Sequence, residues 1–233
     1  AILGRPVAED ALILGISGRY EFKNKGIDVF IDAMGQLNRN NGLGKEVLAF
    51  ILVPAGHAGA NKELLHNLEL PYQAVTSTDL YLTHYLNDSA NDPVMNRIRA
   101  QKLRNSEEDK VKIFFVPSYL NGDDGVFNMP YYDLLVGMDL TAFPSYYEPW
   151  GYTPLESLAF KVPTITTTLA GFGLWVKEHY NMNHPGIEVI HREDGDASNV
   201  ATAIAEWVKN YTQVGETEMQ KDRDNAKDVS RIA

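Results

Sequence analysis

Residues 140–168 read LTAFPSYYEPWGYTPLESLAFKVPTITTT, and the fold turns on how this run is divided. LTAFPS (140–145) and VPTITTT (162–168) are short, apolar or β-branched runs of the kind that form strands. Between them a loop broken by Pro149 and Gly151 leads into a helical stretch that includes Leu155 and Leu158. Strand, loop, helix and strand in so short a span make a βαβ unit, whose two strands are parallel.

The same alternation runs outward in both directions. Further strands are expected at ALILGIS (11–17), VLAFILVPA (47–55), VKIFFVPS (111–118) and IEVIH (187–191). Several are apolar almost throughout, as strands covered by helices on both faces are. Ile27, Phe30, Ile31, Met34 and Leu37 repeat at helical spacing, as do Tyr131, Leu134, Leu135 and Met138, and Val200, Ile204, Trp207, Val208 and Tyr211. The pattern predicts an α/β fold over residues 1–233: one doubly wound, Rossmann-like domain with a mostly parallel sheet. From about residue 77 to 110 the chain is more polar and reads as an excursion that contains a helix. Its Arg97, Arg99, Lys102 and Arg104 read as a solvated helix face rather than a phosphate site. The tail, about 215–233, reads as a polar helix with little core of its own.

A net charge of −10 over 233 residues argues against a surface built for nucleic acid or anionic lipid. There are no cysteines, hence no disulfide framework, thiolate metal site or cysteine nucleophile. The longest apolar stretch, VLAFILVPAGHAGA, is too short and too glycine-broken to span a bilayer, and no signal segment opens the chain. The expectation is a soluble cytoplasmic protein with no membrane partner. The histidines lack the H-E-x-x-H spacing of metal sites, and no G-x-S-x-G elbow is present.

In a doubly wound sheet, ligands bind in the crevice beyond the carboxyl ends of the strands. The loop after LTAFPS carries Glu148 and, eight residues on, Glu156. Thr153 fits a helix N-cap, Pro154 the first helical position and Glu156 the third, so the spacing alone favours a capping box for Glu156. A helix starting there aims its free amides and positive dipole end at the crevice, which suits an anion such as a diphosphate. Gly151 leaves room for close backbone approach. Glu148, between Tyr147 and Pro149, has no helical or hairpin task to explain it.

After the first strand, GRYEFKNKG (18–26) places Arg19 and Lys25 six residues apart, a pair able to straddle phosphates. The loop LAGFG (169–173) offers Gly171 either for a turn or for a backbone-hugging ligand. Tyr131 opens a helix, where periodicity favours a core position over stacking on a base.

Taken together, GRYEFKNKGIDVFIDAM, THYLNDSANDPVMNRIRAQKLRN, VKIFFVPSYLNG and FPSYYEPWGYTPLESLAFKVPTITTTLAGFG closely resemble the carboxyl-terminal half of glycogen synthases of the animal and fungal type. The likeness covers nearly the whole chain, and its most specific part is SYYEPWGYTP. It implies the donor-binding domain of a two-domain, retaining GT-B glycosyltransferase, with the amino-terminal acceptor domain absent and the fragment alone inactive.

By the resemblance, Arg19 and Lys25 hold the donor diphosphate and Glu148 lies at the transferred sugar, often called catalytic. Glu156 binds the ribose hydroxyls, in addition to any capping role. Tyr131 stacks on uracil, and the amides around Gly151, Tyr152 and Thr153 meet the phosphates. The resemblance implies UDP-glucose as donor, with ADP-glucose open, and an α-glucan acceptor. It implies no metal and no other cofactor, and it leaves oligomerisation open. A nucleotide-sugar binding module, or another retaining GT-B glycosyltransferase, not catalytic as an isolated domain, is the alternative.

Overall fold

The computed structural model describes residues 1–40, 42–70, 78–180 and 185–233. In chain order the elements are β1 (Leu12–Ser17), α1 (Ile27–Asn38), β2 (Val47–Leu52), β3 (His57–Ala60), α2 (Lys62–Glu69), β4 (His84–Leu86), α3 (Pro93–Ala100), β5 (Val111–Val116), α4 (Tyr131–Val136), β6 (Leu140–Ala142), α5 (Tyr152–Ala159), β7 (Thr164–Thr167), α6 (Gly171–His179), β8 (Ile187–Ile190), α7 (Ala197–Tyr211) and α8 (Glu216–Ser230).

Six strands form one parallel sheet in the order β5-β2-β1-β6-β7-β8. The chain winds outward from β1 in one direction through β2 and β5, and from β6 in the other through β7 and β8. This is the doubly wound Rossmann order, and its topological switch point lies between β1 and β6. The strand pleat explains why the expected runs are apolar throughout. Leu12, Leu14 and Ile16 of β1 join the core formed with α1, α3 and α7, while Ile13 faces the opposite cluster with α4.

Three expectations about the elements change. Sheet pairing ends β2 at Leu52 and β6 at Ala142, because the prolines that follow, Pro54 and Pro144, have no N–H for a ladder. The excursion holds α3 as expected but also β4, which pairs with β3 as an antiparallel ribbon; Ser77, at its expected start, lies outside the described residues. Its arginines do not assemble into a phosphate site: Arg97 is ion-paired with Asp32 of α1, and Arg99 donates to Asn96 and the Ser89 carbonyl.

The tail helix α8 also has more core than its polarity suggests. Met219, Ala226 and Val229 fall on one helical face and are buried. Ala226 and Val229 pack with Leu158, Phe172, Val176, Ile187 and Val189, so α8 closes the face that carries α5 and α6. Arg223 locks it down by donating to the Met138 carbonyl at 2.8 Å and to Asp139 at 3.0 Å. Val229→Ala should therefore cost about 2 kcal/mol in a urea melt, the value for two buried methyl groups plus a partly collapsed cavity. A loss within error of zero would mean that α8 is only loosely docked.

Candidate active site

The switch point brings together the loop after β1 (residues 18–26) and the loop after β6 (residues 143–151). They are cross-linked three ways. Gly26 sits in a left-handed conformation (φ 69°) as the N-cap of α1, and a Cβ there would overlap the Pro144 carbonyl. The Tyr146 amide donates to the Asn24 carbonyl at 2.7 Å. The Lys25 ammonium is hydrogen-bonded and ion-paired with the Glu148 carboxylate, and both side chains are largely buried. Two charges from opposite halves of the chain thus meet at the point where the fold places ligands.

The Glu148 backbone is held from its other side. Its amide donates to the Leu169 carbonyl at 3.2 Å, and its carbonyl accepts from the Gly171 amide at 3.1 Å. Gly171 also lies hard against the Pro149 carbonyl, where a Cβ would collide. Its amide is thus committed to the Glu148 loop, which makes Gly171 a support for that loop in this arrangement. Trp150 follows, edge-on to Phe172 and Trp175.

Helix α5 starts earlier than the sequence spacing suggested. Gly151, at φ 106°, is the N-cap, Tyr152 is the first helical residue, and no side chain caps the end. Thr153 is therefore inside the helix, Pro154 is at the third helical position and Glu156 at the fifth, so the capping box does not form. The reason is backbone freedom: the left-handed turn at Gly151 opens the helix before Thr153 can act as a cap. The first amides of α5 are left without intrahelical partners. Buried hydroxyls fix the helix on the sheet, with Thr141 donating to Thr164 and sharing a bond with Ser157, both at 2.8 Å.

Freed from capping, Glu156 accepts from the Tyr132 hydroxyl at 3.2 Å. Its charge is the first cause holding the Tyr132 phenol above the ordinary tyrosine range. Tyr131, the first residue of α4, shares a 2.7 Å hydrogen bond with Ser17 at the end of β1. Burial pushes its phenol up to about 12, with the Glu156 charge adding to the effect and the Ser17 bond opposing it. Tyr131 and Thr153 line one hollow of about 250 Å³ together with Ser17, Gly18, Leu52, Pro54, Ser118, Tyr119 and Leu120.

Arg19 stands on the same loop as Lys25, with its side chain 77% exposed and paired to Glu21 at 3.0 Å. Tyr20 anchors that loop by donating to Asp92, the N-cap of α3. Tyr152 is exposed beside the hollow.

Ser17, Tyr119 and Tyr132 join the site without being marked by any motif in the sequence. Ser17 and Tyr119 lie at or just past the carboxyl ends of β1 and β5, so the strand-end rule applied to every strand would have found them. Tyr132 carried no signal until α5 was placed.

The arrangement puts Gly18, next to Arg19, and Thr153 of the α5 amino-terminus on the wall of one hollow, while Lys25, Arg19, Glu148 and Glu156 stand on the adjoining loops and helix and are not among its lining residues. It can hold a doubly charged anion against the cations while carboxylates accept from hydroxyls.

Comparison with known proteins follows the same lines. The glycogen synthase family model matches residues 7–80 and 73–232. Glycogen [starch] synthase isoform 2 of Saccharomyces cerevisiae is 31% identical over 268 residues, taking in 86% of this chain and 38% of its own length. The glycogen [starch] synthase of Neurospora crassa is 29% identical, covering 96% of this chain and 40% of its own. The liver glycogen [starch] synthase of Rattus norvegicus is 31% identical over 73% of this chain and 31% of its own length. The chain thus spans well under half the length of these relatives.

Two solved structures share the fold. WaaG, a glycosyltransferase involved in lipopolysaccharide biosynthesis, gives a TM-score of 0.52 at 14% identity over 97% of this chain and 44% of its own. The Candida albicans trehalose-6-phosphate phosphatase N-terminal domain gives 0.59 at 11% identity over 96% of this chain and 39% of its own.

Proposed function

The chain belongs to the glycogen synthase family, and we propose that it is the donor-nucleotide domain of a retaining glucosyltransferase that extends an α-glucan from UDP-glucose. The observation that carries this reading is the meeting of Lys25 and Glu148 across the switch point, beside a hollow closed by Tyr131 and the start of α5.

In this reading Lys25 and Arg19 neutralise the diphosphate, helped by the amides of Tyr152 and Thr153 at the positive end of α5. Tyr131 offers its ring to the uracil, and Glu156, one helical turn beyond Thr153, accepts from the ribose hydroxyls. Glu148 lies at the sugar. As the glycosidic bond to the diphosphate breaks, negative charge grows on the leaving nucleotide and positive charge on the sugar ring. Lys25 and Arg19 stabilise the first; the Glu148 carboxylate has the sign to stabilise the second. Two side-chain cations serve the leaving group, so this mechanism requires no metal. Transfer is to the non-reducing end of an α-1,4-glucan, with the acceptor held by a partner domain, so the chain alone binds donor without turning it over.

Calorimetric titration with UDP, ADP and uridine tests the reading. UDP should bind measurably and more tightly than ADP or uridine. Glu156→Gln should weaken both UDP and uridine by about tenfold, since both carry the ribose, at the ordinary value of a charged hydrogen bond. Glu148→Gln should leave UDP affinity intact. Failure of the unaltered chain to bind UDP at millimolar concentration would overturn the proposal.

A further inference from the structure

Arg192 follows β8 and belongs to none of the segments that mark the site, yet its side chain is buried (5% exposed). A buried guanidinium is costly unless the fold makes use of its donors. Arg192 donates through Nη1 to the Pro144 carbonyl, and its cation lies 5.4 Å from the Tyr146 ring centre. Its own amide donates to the Thr168 hydroxyl at 2.9 Å. It therefore holds one carbonyl and one ring, two residues apart, on the loop that carries Glu148.

These are two of the three points through which that loop touches the Lys25 loop, the third being the Lys25–Glu148 pair itself. The Pro144 carbonyl is the group packed against Gly26, and the Tyr146 amide is the donor to Asn24, so the residues on either side of Lys25 are seated on what Arg192 grips. Thr168, which Arg192 also bonds, precedes Leu169, the acceptor of the Glu148 amide. The Tyr146 hydroxyl is bonded in turn to Asp194. A guanidinium is flat and lies over an aromatic ring while one of its nitrogens donates, which accounts for its use here over lysine; its Nε is buried without a partner among the described residues. Its charge is balanced at longer range by the carboxylates of Asp28 and Asp196, which act against the dominant effect of burial.

Resting on the function proposed above, we infer that Arg192 is a positioning residue: by fixing Pro144 and Tyr146 it sets where the Glu148 carboxylate meets Lys25 and, with it, the sugar. It touches neither substrate nor reacting atoms.

The test is calorimetry with UDP and UDP-glucose on Arg192→Met, Arg192→Lys and Glu148→Gln, with the double variants. Arg192→Met should weaken UDP-glucose by about tenfold while changing UDP by no more than about twofold, and Arg192→Lys should restore part of the loss. In the Glu148→Gln background Arg192→Met should bring little further loss, because the two act through one group. Equal losses for both ligands, or a full additional loss on top of Glu148→Gln, would make Arg192 a general scaffold residue and overturn the inference.

If Arg192→Met does not fold, Tyr146→Leu at its half-exposed position asks the same question. A selective loss for UDP-glucose supports the inference, and none overturns it. An unaltered chain that binds UDP while Arg192→Met keeps its UDP-glucose affinity sinks the inference alone. An unaltered chain that binds neither nucleotide sinks the functional reading and this with it.

Discussion

Lys25→Ala should lower the affinity of this chain for UDP by about a hundredfold, about 2.7 kcal/mol, and change uridine by no more than about threefold. Lys25 is a compact cation with three donors, and its side chain is only 14% exposed. One donor is taken by Glu148, and an ammonium has two more to offer a phosphate. Charge-assisted bonds in such partly buried places are worth about 1.5–3 kcal/mol. Uridine has the base and ribose but no phosphate, so it should not feel the loss.

The neighbouring substitution separates the two loop cations. Arg19→Ala should act in the same direction but less strongly, because its side chain lies in high dielectric at the rim and must be ordered to engage a phosphate. Glu148→Gln provides the opposite control. It releases Lys25 from its carboxylate, so UDP affinity should hold or rise, while transfer by a full-length enzyme should fail. Calorimetry on the three variants decides the matter. An unchanged UDP affinity in Lys25→Ala, or equal losses for UDP and uridine, would move the diphosphate away from this loop.

The contrast between what the chain announces and what it conceals is physical. Parallel strands buried on both faces must be apolar at nearly every position, so VKIFFV and LILGIS declare themselves. Helices α1 and α7 show their buried stripes for the same reason. The β3–β4 ribbon does not, because HAGA contains no β-branched residue and pairs with only three residues of β4. Helix α8 is hidden by its polarity: three buried apolar residues are enough to dock it but too few to stand out.

The start of α5 is not legible in the sequence because Thr-x-x-Glu looks the same whether or not it caps, and only the backbone of Gly151 decides. Lys25 and Glu148 are 123 residues apart, so nothing local to either announces the pair. Its legibility came from topology, since both follow strands that flank the switch point. Arg192 follows a strand too, but its role depends on which carbonyl it reaches, which the sequence does not encode in any local pattern.

Gly26→Ala should be the most damaging single methyl group added to this protein, at about 3 kcal/mol or more of folding stability together with loss of UDP binding. Two costs combine at this position. The left-handed conformation, φ 69°, costs an L-residue about 1 kcal/mol. The added Cβ would also run into the Pro144 carbonyl, a backbone group that cannot rotate away. Gly195 isolates the first cost, since its φ is 82° and a Cβ there meets nothing within 4 Å. Gly195→Ala should therefore lose only the conformational part, about 1 kcal/mol.

The difference between the two variants in a denaturant melt measures how tightly the two loops are pressed together. Binding should follow the same division. Relief of the collision requires the 18–26 loop to move away from Pro144, which displaces the neighbouring Lys25 itself, and misplacement of about 1 Å at a charged centre costs on the order of a hundredfold in function. Gly195→Ala should keep its UDP affinity. Equal stability losses in the two variants, with UDP binding retained in both, would show that Pro144 yields to the methyl group and that the contact between the loops is not what holds the site in place.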